Sequence, residues 1–314
     1  MKDNFISRLL RKNTTVIVGS SLLLFTVLAI TVDRFFTPYN IFNIITQASI
    51  YGTMAIGLTF VLISGGIDVS LPAVMASGAV VGVTYMNSTG NGFVGCLVAI
   101  GVCVAFGLIN GISVAYFNMP PLIVTLATST IGTGFAVWYS DYLTITGIPR
   151  ALTNIFRGYI LGVPVYVFIF FFIIFVGQFI LTKTVYGRWL YFVGLNKNTA
   201  KVTEVPVKRI IATAYVISSF TAGLAGIMLA TQIGSAQAGM GRFTMVLDIV
   251  SSAVIGGVSI YGGRGGIIGT AFGALFIALL SNVMNLLGIQ FYLTLMLKGS
   301  IIILATAFDH VRNR

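Results

Sequence analysis

The sequence is poor in the residues on which most enzyme chemistry rests. Of its 314 residues one is histidine, two are cysteine and seven are Asp or Glu, and only 8% are charged, against roughly 25% in soluble domains. The one histidine, His310, stands in the C-terminal tail. Neither a histidine-bearing metal cluster nor a histidine-based nucleophile can be built in the apolar part of the chain, so no metal site is expected. Cys96 and Cys103 lie in one apolar run and read as small packing residues rather than a disulfide or metal pair. No G-x-x-x-x-G-K-[ST] phosphate loop occurs, and the cluster Gly262-Gly263-Arg264-Gly265-Gly266 lacks its lysine. The chain is therefore not expected to be an ATPase, and no cofactor is expected.

What it has in abundance is apolar surface: 57% of residues are hydrophobic and the mean hydropathy is +1.00. A membrane span needs about 20 apolar residues, and such runs recur at 14-32, 41-64, 70-87, 93-117, 121-139, 159-182, 210-232, 244-262, 266-287 and 291-308. The expected fold is an all-α integral membrane protein of about ten helices forming one domain over 1-314. Proline at Pro120-Pro121 and glycine at Gly262 to Gly266 are expected to break helices. The net charge of +11 does not point to nucleic acid, because the cations sit at the ends of apolar runs and form no basic domain. The positive-inside rule accounts for them. Lys2, Arg8, Arg11 and Lys12 precede the first run, which is expected to be retained because no small-residue cleavage site follows it. Ten spans then return the C-terminus, with Arg312 and Arg314, to the cytoplasm. The long connection 183-209 falls on the same side, with Lys183, Arg188, Lys197, Lys201, Lys208 and Arg209 against Glu204 alone.

Ionisable groups at membrane depth are costly and so are functional candidates. Asp68 follows Ser64-Gly65-Gly66-Ile67 where the chain must turn, and is expected to cap or brace a broken helix there. Asp248 lies one turn into the eighth run from outside, and Lys298 about two turns into the last from the same side. A lysine that snorkels along its stem would meet Asp248 at one depth, so an Asp248–Lys298 ion pair is expected. In the second run Asn40, Asn43, Gln47 and Tyr51 follow helical spacing on one face. Two readings fit: a pathway for a hydroxyl-rich solute, or polar glue between helices. Thr231, Gln232 and Gln237 at the outer end of the seventh run, and Asn282 and Asn285 in the ninth, carry the same chemistry. Arg150, Arg157 and Arg242 on the outer side are candidates to meet carboxylates of a docking protein; interface snorkelling is their other reading. Gly265, Gly269 and Gly273, Gly78 with Gly82, and Gly107 with Gly111 recur at four-residue spacing, which predicts close helix contact.

The 183-209 connection is too amphipathic for a linker. Asn198 is expected to cap a short helix through Lys201 to Glu204 that Pro206 stops, and a short basic helix there suits docking on a soluble partner.

Along nearly its whole length the chain resembles the permease subunits of ribose-, xylose-, arabinose- and galactoside-type ABC importers. The matching segments are Ala55 to Ser70, Pro121-Leu122-Ile123-Val124-Thr125-Leu126, Tyr186-Gly187-Arg188 with Gly194 and Asn196, and Leu247-Asp248, Gly256-Gly257, Gly262-Gly263-x-Gly265 and Asn285-Leu286-Leu287-Gly288. The resemblance implies a type II importer-like permease in the bacterial inner membrane, working as a dimer. It further implies two ATP-binding domains beneath, usually one tandem chain, a periplasmic sugar-binding protein outside, and a monosaccharide as cargo. It makes 191-206 the coupling segment, with Gly187, Arg188, Gly194, Asn196, Lys201 and Glu204 facing the ATPase, and puts Pro120, Pro121 and Thr125 near a cytoplasmic gate. Three positions depart from the family pattern: Leu71-Pro72 for a valine-glycine, Glu204 for a glycine, and Val246 for an acid. The competing reading is an ion-coupled secondary transporter with Asp68, Asp248 and Lys298 as relay; an enzyme acting on lipid-linked sugars would need converging acid and base groups, and the carboxylates are isolated.

Overall fold

A computed structural model of the chain describes residues 13–32 and 35–312. Lys2, Arg8, Arg11, Lys12, Arg34 and Arg314, and with them the N-terminal half of the orientation argument, lie outside the described residues, as do the side chains of His310 and Arg312. Helices follow every apolar run: α1 (Asn13–Thr31), α2 (Pro38–Ile63), α3 (Leu71–Thr89), α4 (Gly92–Ala115) and α5 (Pro121–Ser140). After a loop carrying α6 (Arg150–Arg157) and a small hairpin come α7 (Val165–Lys183), α8 (Val185–Leu195) and α9 (Lys197–Val202). The chain closes with α10 (Val207–Ile233), α11 (Thr244–Ile255), α12 (Ile267–Leu286) and α13 (Phe291–Arg312). Among the described residues seven stretches are long and apolar enough to cross a membrane: Pro38–Ile63, Gly92–Ala115, Pro121–Ser140, Val165–Lys183, Val207–Ile233, Ala238–Ile255 and Ile267–Leu286. The protein is a multi-pass membrane protein.

Boundaries moved where local chemistry outweighed hydropathy. The sixth run begins not as helix but as the antiparallel pair β1 (Tyr159–Ile160) and β2 (Val163–Pro164), because Leu161 and Gly162 both take positive φ, the geometry of a two-residue hairpin turn. The eighth run, expected to reach 262, stops at Ile255. There Gly257 turns left-handed at φ 89° while the Gly257 and Val258 amides donate to the carbonyls of Val254 and Ala253, a glycine C-terminal stop. Pro120 and Pro121 start α5 rather than break a helix. Pro72 lies in the first turn of α3, where a missing amide costs nothing, so this departure from the family pattern leaves the turn unstrained.

α2 and α10 form the buried centre. α10 packs along α4, α2 and α3, while α12 lies across α2 and α11. The glycine repeats serve these contacts: a Cβ on Gly78 or Gly82 would strike Ala99, one on Gly107 would strike Ser219 and Tyr215, and one on Gly111 would strike Ala212. Gly269 and Gly273 meet Gly256 and Ser252 backbone in the same way. Gly265 does not belong to that stripe, since it lies before α12 at φ 138°.

The closest backbone approach involves α8. A Cβ on Gly194 would collide with the Ile63 carbonyl oxygen and the Gly263 amide nitrogen, two backbone atoms joined to each other by a 2.9 Å hydrogen bond. Neither can swing aside. Gly194→Ala is expected to cost about 1–3 kcal/mol, the usual weight of overpacking. Gly101→Ala, at a helical position where a Cβ meets nothing within 4 Å, should leave the melting point in detergent unchanged or slightly raised.

Candidate functional site

Two regions gather the polar residues, one beside the first half of α10 and one at its C-terminal end. Its 27 residues span about 40 Å at 1.5 Å each.

Beside the first half of α10 lies the break between α2 and α3. Asp68 is buried, and its carboxylate accepts from the Ser70 amide at 3.0 Å, the Ser70 hydroxyl at 2.6 Å and the Ser218 hydroxyl of α10 at 3.0 Å. Tyr215 donates to the Ile67 carbonyl at 3.2 Å, and the Asn110 amide of α4 reaches the Ser70 hydroxyl at 3.0 Å. Asp68 thus braces the break, as the residues suggested. Gly65 takes φ 76°, and a Cβ on Gly66 would strike the Tyr215 hydroxyl, so the pair of glycines lets the chain turn under α10. The second break, 256–266, docks on the first through the Gly263–Ile63 bond. Tyr191 of α8 donates to the Gly265 carbonyl at 2.7 Å; burial pushes its phenol pKa up, which keeps it a neutral donor.

From this junction α8 and α9 project. Asn196, not Asn198, caps α9: its side chain accepts from the amides of Asn198 and Thr199 at 2.9 and 3.0 Å, and the helix ends at Val202. Gly187 is buried against the carbonyls of Ile180 and Leu181, while Arg188, Asn196, Lys201 and Glu204 are exposed. Glu204 takes φ 61°, a left-handed conformation that costs an L-residue about 1–2 kcal/mol. Exposed apolar side chains, Leu195 at 63% and Val202 at 84%, stand among the cations.

At the C-terminal end of α10 a cavity of about 400 Å³ is lined by Gln47 and Tyr51 of α2, Gln237, Arg242, Asp248 of α11, Asn285 of α12 and Lys298 of α13, among others. Lys298 Nζ lies 2.6 Å from Asp248 Oδ1, which makes the expected ion pair. Sequence reasoning left both charges out of the pathway; their place on the cavity wall was readable only from how α11 and α13 lean together. Asn43, Gln232 and Asn282 do not line the cavity. Asn282 instead exchanges two amide hydrogen bonds with Asn40, at 3.1 and 2.7 Å, joining α2 to α12. So the polar stripe on α2 divides, its first member into glue and its last two into the cavity.

Arg150, Arg157 and Arg242 also separate. Arg150 is exposed at the start of α6. Arg157 donates to the carbonyls of Thr231 and Gln232 at 2.8 Å each and so neutralises the C-terminal end of α10. Arg242 borders the cavity. Pro120 is exposed, Pro121 half-buried and Thr125 buried, with the Thr125 hydroxyl donating to the Pro121 carbonyl at 3.0 Å.

A family model described as "Branched-chain amino acid transport system / permease component" matches residues 40–306. The chain is similar to the ribose import permease protein of Bacillus subtilis, 33% identical over 281 residues, which are 89% of this chain and 87% of that protein. It is 33% identical to the D-allose transport system permease protein of Escherichia coli over 286 residues, 90% and 86% of the two chains. It is 32% identical to the L-arabinose ABC transporter permease protein of Azospirillum brasilense over 305 residues, 96% and 88% of the two.

Removing one member of a buried ion pair strands the other, at about 3–5 kcal/mol, whereas removing both is often neutral. Lys298→Met and Asp248→Asn should each lower the melting point of the purified protein, and the double variant should restore most of the loss; additive losses would show that the two charges act separately. Glu204→Gly should raise stability by about 1 kcal/mol, the left-handed penalty less glycine's added chain entropy.

Proposed function

The chain belongs to the family of permease subunits of ribose-, xylose-, arabinose- and galactoside-type ABC sugar importers, and from that premise we propose that it forms the pathway for a monosaccharide, a ribose-like pentose or a hexose, driven by ATP hydrolysis on partner subunits. Its ten helices then cross the bacterial inner membrane with both termini in the cytoplasm. A second permease subunit, an ABC ATPase that is commonly one tandem chain, and a periplasmic sugar-binding protein complete the importer.

The observation that carries this reading is the pairing of ends on α10. One end meets a cavity rich in uncharged hydrogen-bonding groups. The other meets a projecting basic element with exposed apolar tips, in a chain without a phosphate loop of its own. Gln47, Tyr51, Gln237 and Asn285 belong in this reading to the outer mouth of the pathway, where they exchange hydrogen bonds with sugar hydroxyls. Asn43, Gln232 and Asn282 flank it. Pro120, Pro121 and Thr125 remain the proposed cytoplasmic gate. Arg150 and Arg242 are free to meet acidic lobes of the binding protein; Arg157 is engaged by α10 and contributes less.

On the inner side α8 and α9 are the coupling element. Their junction with both helix breaks would pass ATPase movement to α2 and to α11–α12, the helices that line the cavity. The ion-coupled alternative is disfavoured by the same geometry: Asp248 is neutralised by Lys298 and Asp68 is buried and holds three hydrogen bonds, so neither carboxylate is poised as a relay.

In proteoliposomes carrying the permease with its ATPase and binding protein, uptake should survive an uncoupler and stop when the ATPase is omitted. Val202→Asp should leave the melting point unchanged and abolish co-purification of the ATPase. Uptake that collapses with the ion gradient and ignores ATP would favour the alternative.

A further inference from the structure

The Asp248–Lys298 pair holds α11 to α13, yet its hydrogen-bonding capacity is far from used. An ammonium has three donors and a carboxylate about four acceptor sites. Beyond their mutual contact, neither side chain bonds another protein group among the described residues. Both are nearly buried, with side chains 9% and 13% exposed, and both line the outer cavity. A pair withdrawn from water is favourable only when its remaining protons and lone pairs are met, so the cavity is where those partners must come from.

We propose that this pair contacts the transported solute and selects uncharged polyhydroxylated rings. The inference rests on the importer reading of the same cavity. A vicinal diol matches the pair: one hydroxyl donates to the Asp248 carboxylate while its neighbour accepts from the Lys298 ammonium. Because the two charges cancel, a solute carrying net charge gains nothing from the pair as a whole and must displace one member from the other. Around it Gln47, Asn285 and the Tyr51 hydroxyl offer neutral donors and acceptors, and the rings of Tyr51 and Phe291 offer apolar faces. The volume of about 400 Å³ falls in the range of small-molecule sites, about 300–1,000 Å³.

Position adds a second argument. Asp248 is carried by α11, which ends at the 256–266 break bonded to Ile63 and Tyr191. The helix that would sense the solute is thus also the one that runs down to the element touching α8.

The test uses the importer assembled with its ATPase in proteoliposomes. Ser281→Cys, a near-isosteric change on the cavity wall, is placed in a chain whose Cys96 and Cys103 are alanine, and a membrane-impermeant thiol reagent is applied from outside. D-ribose, D-allose and L-arabinose should slow modification, and the anion D-gluconate should not. With Asp248→Asn and Lys298→Met together, the unprotected rate should persist, showing that the cavity still forms. Protection should fall about tenfold or more, the weight of a hydrogen bond to a charged group. Asp248→Glu keeps the charge and moves the carboxylate by one methylene, so it should change the ratio of pentose to hexose protection even if the double variant fails to assemble.

The inference is overturned if no sugar protects the intact pair, if gluconate protects as well as the sugars, or if both backgrounds are protected equally. ATP-dependent uptake in the same vesicles separates the two readings. Uptake without protection removes the solute contact alone; protection without ATP dependence upholds the contact and removes the importer reading.

Discussion

A bilayer offers no water to a peptide group, so every place where a helix stops inside it must be satisfied by the protein itself. Here α2 stops at Ile63 and α11 at Ile255, and the two stops are answered by one another. The Gly263 amide donates to the Ile63 carbonyl, and the Tyr191 hydroxyl donates to Gly265. On the far side Asp68 gathers the Ser70 amide and hydroxyl and the Ser218 hydroxyl, while Tyr215 donates to the Ile67 carbonyl. The remaining helices are arranged around this knot of mutually satisfied backbone.

One result is that stiffness and connection coincide. Gly194 brings α8 so close to both breaks that the three segments share backbone contacts rather than side-chain contacts. Side chains can repack when a neighbour shifts; backbone atoms held at van der Waals distance shift together. The α2–α12 seam is fastened at both ends, by Asn40 with Asn282 far from the breaks and by Thr59 with Thr270, whose hydroxyls lie 2.8 Å apart, one turn from Ile63. These polar pairs fix axial register, which apolar packing between lipid-facing helices sets only weakly.

The helices were legible because hydropathy reports burial from water, and each apolar run does carry one. Their ends were less so, since ends are decided by single residues: the left-handed turn at Gly257 shortened α11, and Leu161-Gly162 turned the start of a hydrophobic run into a hairpin. The α9 cap fell on Asn196 instead of Asn198 because the one-residue link between α8 and α9 puts Asn196 in extended geometry, with its side chain facing the next amides. The Asp248–Lys298 pair could be read from depth alone, as each charge lay a countable number of turns from the same surface. What hydropathy could not sort was the polar residues from one another. Asn40 and Tyr51 share a helical face, yet one meets Asn282 and the other an open cavity; the difference lies in how α12 crosses α2. Arg157 looked like a surface cation and is a cap for α10, a role created by a loop that returns over the helix end.

The ion pair also has an order of birth. Asp248 leaves the ribosome fifty residues before Lys298 (248 to 298), with the whole of α12 between them. A carboxylate at depth without its partner is costly, so α11 has reason to stay loosely seated until α13 arrives. The helix that carries Lys298 is therefore the one that completes the wall of the cavity. A chain shortened before residue 298 would keep most of its apolar helices and lack the countercharge that fixes the cavity end of α11.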